Sequence, residues 1–248
     1  MKAAFSQQSL SKRNVLLDLS RGSAVWLMIL YHFAWNLNDF GIADIDLFDN
    51  PIWFAMRTFI LFLFLLIAGI SMVLAHGKVQ YWRAFWRRWI AITTGAAIVS
   101  FGTLLVMPQV YVFFGVLHCI ALTSLLAFPF LKTNLIFTVL VATLFVILPT
   151  IAADPLFNQP LLQWTGLVTT KPESIDYVPI FPWAGIVLFG IACCRWHQKF
   201  VLIPFHDWCP KGRVNMVTQW VGRNALLVYL LHQPVLVGLV WLLYITIN

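Results

Sequence analysis

Three histidines stand inside long apolar runs: His32 in MILYHFAW, His118 in FFGVLHCIAL and His232 in LLVYLLHQPVL. Imidazole titrates near neutral pH, so it can serve as a general base, a general acid or a nucleophile. In lipid such a ring must find polar partners, and ionisable residues at that depth face a bundle interior or a wet cavity. Gln233 and Pro234 follow His232 directly. The proline removes a backbone donor and leaves the Leu230 carbonyl without its helical partner, an opening tolerated where protein or trapped water satisfies it. A kink, an imidazole and an amide at one depth predict a polar cavity. The plain alternatives are a packing histidine bonded to a neighbouring helix and a proline kink without chemistry.

These side chains need elements to hold them. The 248-residue chain is 61% hydrophobic and 10% charged, against roughly 25% charged residues in soluble domains. It reads as an all-α, polytopic transmembrane helical bundle, a single domain over residues 1–248. About seven spanning helices are expected: Val15–Asn36, Ile52–Ala75, Trp89–Met107, Val110–Phe130, Leu135–Ala152, Ile180–Trp196 and Trp220–Ile247. The first apolar run carries Asp18 and Arg21 and has no small-residue cleavage site, so it reads as a retained helix. No internal repeat is evident. The four cysteines, Cys119, Cys193, Cys194 and Cys209, form no CxxC pair and match no zinc spacing, so free thiols and no metal are expected.

Of the 16 Lys and Arg residues, all but Arg57 and Lys171 fall in segments on one side of these helices. The excess of positive charge places the N-terminus in the cytoplasm and the C-terminus outside. The same distribution accounts for the net charge of +7 without nucleic acid, because no basic stripe with interleaved aromatics exists outside the short loops. The longest external loop, Asp154–Pro179, is long enough to be functional or a solvated connector. It brings Asp176 near the outer interface. Arg57 either pairs with the acidic stretch Asp39–Asp49 or holds an anionic group. Asp18 and Arg21 are three residues apart and share a helical face. His32 lies about three turns further along nearly the same face, which must turn into the bundle. Gly69 and Ser71 read as close-packing residues of the second helix.

Six segments occur in a characteristic order: LDLSRG, MILYHF, FLFLLIAGISM, FFGVLHCIAL, DYVPIFPWAGIVLFGI and VGRNALLVYLLHQP. Together, from about Arg13 to Pro234, they resemble the catalytic domain of the heparan-α-glucosaminide N-acetyltransferase family. The membrane O-acyltransferases that modify surface sugars have a similar first helix. The resemblance implies transfer of an acetyl or similar group from cytoplasmic acyl-coenzyme A to an amine or hydroxyl of a sugar across the membrane. The setting would be a bacterial inner (cytoplasmic) membrane. It puts His32, as base or nucleophile, and His232 on the family's histidine motifs, and the mid-membrane His118 is the third catalytic candidate from the residues themselves. Asn224, Gln233 and Asp176 become candidates for substrate and oxyanion contacts. Arg21, Arg223 and Arg87 are the candidate grips for the phosphates of coenzyme A; Arg83 and Arg88 also lie on that side. The chain has Ala225 where similar bacterial sequences often carry Ser. The partners implied are the bilayer, the acyl donor and the sugar; homo-oligomerisation is left open. A proton-coupled transporter is the alternative, since membrane histidines and a broken helix also build proton relays. A purely structural subunit leaves three intramembrane histidines unexplained.

Overall fold

A computed structural model describes residues 14–47, 50–76, 82–200 and 212–247. Lys2, Lys12, Arg13, Asp49, Lys78, Cys209 and Lys211 lie outside the described residues. Among the described residues there is no strand. The helices are α1 (Val15–Asp39), α2 (Pro51–His76), α3 (Trp82–Val106), α4 (Val116–Ala127), α5 (Leu135–Ile151), α6 (Ile180–Phe200), α7 (Arg213–Arg223) and α8 (Ala225–Ile247). By length and composition α2, α3, α6 and α8 can cross a membrane; α5 and α4 with its following 3-10 turn are shorter apolar helices. The outward surfaces of α3, α5 and α8 carry exposed Phe101, Leu105, Ile136, Leu140, Leu239 and Trp241, a surface suited to lipid and not to water.

α6 is the central post and packs on α2, α4 and α5. Its Val187, Leu188 and Ile191 are fully buried with Leu65 of α2. Gly69 lets the two backbones meet, because a Cβ there would strike the Val187 carbonyl. Small residues serve this purpose between helices that lie in lipid. Phe181 keeps an extended backbone at the start of α6, next to a cis Phe181–Pro182 bond.

Three expected spans differ from the structure. The third helix begins at Trp82 and not at Trp89. The fourth helix starts at Val116 and not at Val110. Residues 110–115 are non-helical, and Val110 and Phe114 accept backbone bonds from Ile175 and Val178 at 3.0 Å each. The apolar run there was legible, but the alternation in VYVFF and the breaks at Pro108 and Gly115 decide its conformation. The seventh span is interrupted at Asn224, whose backbone N–H and side-chain amide both turn back onto the Trp220 carbonyl. The part before the break, α7, packs along α1, so closely that a Cβ on Gly222 would strike the Asp18 carbonyl.

The loop over residues 154–179 is folded, not a loose connector. Asn158 bonds the backbone of Thr169 and Thr170 and the hydroxyl of Thr169. Tyr177 donates its hydroxyl to the Gln163 carbonyl at 2.6 Å, and Ser174 bonds the Tyr111 carbonyl. Burial pushes the Tyr177 phenol up to about 12. The loop's described end delivers Asp176 to the bundle.

Candidate active site

α1 and α8 meet through His32 with His232, Asn36 with Gln233, and Phe40 with Tyr244. These contacts follow in the same order along both helices, so the two run parallel. The rings of His32 and His232 lie 4.9 Å apart, edge to face. In each ring Nδ1 faces a carbonyl of its own helix: His32 the Met28 oxygen at 2.9 Å, and His232 the Tyr229 oxygen. A carbonyl only accepts, so Nδ1 carries the proton and the neutral ring keeps its lone pair on Nε2. His232 is 8% exposed, and its Nε2 is buried without a partner. A buried polar atom left open in this way is costly unless something arrives to meet it.

One turn beyond His32, the buried Asn36 donates from Nδ2 to Gln233 Oε1 at 3.1 Å. Tyr229 packs its ring against His232 at 5.5 Å and donates its hydroxyl to Asp176 Oδ2 at 3.4 Å. The same carboxylate oxygen accepts the Val116 N–H at 3.1 Å, at the start of α4. Asp176 therefore ties α4, α8 and the loop before α6 together beside the histidine pair. It and Arg57 both act electrostatically on His32. Among the described residues Arg57 has no acidic partner in the stretch 39–49; on α2 its turn belongs to the face of Trp53 and Ile60, which packs on Tyr31.

His118 stands differently. The Gly115 N–H donates to its Nδ1 at 3.2 Å, so Nε2 carries the proton and reaches Ser100 Oγ at 3.2 Å. Ser100 in turn donates to the Val112 carbonyl at 2.6 Å. Both ring nitrogens are occupied in pinning the non-helical segment before α4 to α3 and α4. Asn224 is also apart from the pair. It caps α7, two turns below His232 on α8.

Towards the other end of α1, the buried Asp18 carboxylate receives, among the described residues, the guanidiniums of Arg21 at 3.3 Å and Arg223 at 3.2 Å. Arg21 also donates to Ser71 at 2.8 Å, and Arg223 reaches Gln219 at 3.4 Å. Ser71, read as a packing residue, is thus part of this cluster. The three charged side chains carry one net positive charge. Arg87 is exposed on α3, while its neighbour Arg88 is the residue within electrostatic reach of Arg21. From Arg21 to His32 the helix rises eleven residues, about 16 Å.

The model of the family described as heparan-alpha-glucosaminide N-acetyltransferase, catalytic, matches residues 13–234. The chain belongs to this family. It is accordingly an acetyltransferase-type enzyme of the membrane, and the matched span runs from just before α1 through His232 to Pro234. Comparison with curated proteins and with solved structures returned no match. Among the described residues no three His, Cys, Asp or Glu side chains are grouped to hold a metal. Cys119, Cys193 and Cys194 are free thiols.

Sequence reasoning did not single out Asn36 or Tyr229. The signal was available in spacing. Asn36 is four residues after His32 and Tyr229 three before His232, so each shares a helical face with its histidine.

Proposed function

We propose that this acetyltransferase-family member takes an acetyl or similar group from acyl-coenzyme A on the cytoplasmic side and transfers it to an amine or hydroxyl of a sugar on the external side. The observation that carries the reading is the pair of Nε2 lone pairs held open at the α1–α8 seam, His232 Nε2 above all. Arg21 stands about 16 Å below His32 on the same helix, with Arg223 of α7 beside it on the Asp18 carboxylate, a separation matched to an extended phosphopantetheine arm. Arg21 and Arg223 would receive the phosphates, in charge-assisted bonds from guanidinium to phosphate.

His32 takes the proton of the acceptor as its nitrogen or oxygen attacks the thioester carbonyl carbon. The new C–N or C–O bond forms, the carbonyl π electrons move to oxygen, and a tetrahedral oxyanion results. Its collapse restores the carbonyl and breaks the C–S bond. The thiolate leaves and recovers the proton from the imidazolium, so the protein ends unchanged. His232, next to His32 and more deeply buried, relays or holds that proton. Asp176 and Tyr229 support its position.

The same reading has the chain as one integral domain of the bacterial inner membrane, with its N-terminus cytoplasmic, its C-terminus external and seven crossings. It is supported by the parallel course of α1 and α8, which sets the start of one and the end of the other at opposite faces. Purified protein in detergent, given radiolabelled acetyl-coenzyme A and a panel of amino and neutral sugars, is expected to release free coenzyme A only with an acceptor. His32→Ala is expected to lose release by on the order of 10²–10⁴-fold, the usual contribution of a positioned base, while still binding coenzyme A. Absence of release with every acceptor would favour transport instead, and full activity in the variant would remove His32 from the mechanism.

A further inference from the structure

The cross-helix bond between Asn36 and Gln233 has a direction. Asn36 is 4% exposed and spends an Nδ2 hydrogen on Gln233 Oε1. That fixes which end of the Gln233 amide is left over: the NH2, which carries two donors and no acceptor. Among the described residues nothing accepts from it, and Gln233 is half-buried immediately beside His232. Had the bond run the other way, the amide would present its oxygen to the same place.

We infer that Asn36 is a positioning residue whose hydrogen bond sets the polarity of the Gln233 amide, so that Gln233 offers N–H donors to the oxyanion formed beside the histidine pair. The inference rests on the acyl-transfer reading. Its physical basis is that an oxyanion formed at the thioester carbonyl is stabilised by donors already aimed at it, and is repelled by an amide oxygen in their place. A free glutamine would divide its time between two orientations. Asn36 removes the wrong one, and it does so from a helix that also carries His32, so base and donor are set by one element. The pairing 32 with 232 and 36 with 233 is therefore a four-residue unit built across one seam.

Polarity can be tested without altering size. In Asn36→Asp the carboxylate only accepts, so the Gln233 amide must turn round to donate to it and its oxygen enters the site. The expected result for the full-length protein is a fall in kcat of roughly 10²–10³-fold, with the KM for acetyl-coenzyme A unchanged. Gln233→Glu, which keeps an acceptor for Asn36 but loses the donors, is expected to match it. Asn36→Leu, which leaves the amide undirected, is expected to lose less than Asn36→Asp. A merely structural Asn36 would give the opposite order, with leucine no better than aspartate. Wild-type kcat in Asn36→Asp would overturn the inference.

A second measurement does not depend on turnover. Side-chain amide protons of isotope-labelled Gln233, followed by NMR, are expected to exchange freely with water in the wild type and to be protected in Asn36→Asp. Protection in the wild type, or no change in the variant, counts against the clamp. Wild-type protein inert with all acceptors would strike the acyl-transfer reading, whereas active wild type with an unimpaired Asn36→Asp strikes this inference alone.

Discussion

His118 and His232 make similar claims in the sequence, each an imidazole in the middle of an apolar helix, yet their surroundings sort them into different work. Around His118 the backbone donates to Nδ1 and Ser100 meets Nε2. The ring is a rivet, holding residues 112–115 against α3 where no helix exists to satisfy them. Around His232 the backbone accepts from Nδ1 and nothing meets Nε2. The two rings thus hold opposite tautomers, and only one keeps a lone pair available. An intramembrane histidine is a credible base when the fold pre-empts one nitrogen and leaves the other open. Depth and burial alone do not distinguish the two.

The comparison is broken most forcefully at His232. His232→Ala is expected to lower kcat about 10²-fold, the lower range for loss of a proton-handling group. It should cost little stability, because the ring gives up a single internal bond and relieves an unpartnered buried nitrogen. Initial rates of coenzyme A release and a thermal melt in the same detergent check both halves. A collapsed melt with normal turnover per folded molecule would assign His232 to the rivet class instead.

His118→Ala should invert that pattern. It strands the Gly115 N–H and leaves Ser100 without its imidazole partner, at a cost of about 1–3 kcal/mol for a buried group left unsatisfied. The melt is expected to fall while kcat of the folded fraction holds. If kcat drops as far as in His232→Ala with an unchanged melt, the distinction by tautomer is wrong.

The helical class and most element positions were open to the sequence, because apolar runs and their flanking charges report directly on what lipid accepts. The pairing of Asp18 with Arg21 was also open, since three residues on a helix fix their distance. Arg223 joining the same carboxylate was not, because it depends on the break at Asn224 and on α7 folding back along α1. The convergence of His32 with His232 was expected, and their rings meet at 4.9 Å; among the described residues His118 makes no ring contact with either, though Asp176 acts electrostatically on it as on His32. What failed is instructive at Val110–Gly115: hydropathy sees an apolar run, but Asp176 caps Val116 from a loop sixty residues away. Hydrogen-bond direction, which separates His118 from His232 and fixes the Gln233 amide, has no signature in a single sequence at all.

The gentlest test of the same contrast lies at the mouth of the site, in the loop that carries Asp176. Tyr177 is its buried fastener, 8% exposed, with its hydroxyl on the Gln163 carbonyl. Its folded value of about 12 stands above the ordinary 10.0 because burial disfavours the phenolate. The sign follows from linkage: a value raised on folding leaves stability whole below pH 10, and erodes it as the pH climbs towards 12 and the open form ionises first. Tyr177→Phe should lose about 1 kcal/mol from the missing bond but abolish that alkaline erosion. Tyrosinate absorbance gives the matching readout, as the wild-type minus variant titration should show one step near 12. Because the loop holds Asp176, and Asp176 holds Tyr229, Tyr177→Phe should loosen His232 slightly and leave the melt contribution of His118 untouched. A difference titration centred on the ordinary value would mean that Tyr177 is not buried, and that the loop does not fasten the Asp176 side of the histidine pair.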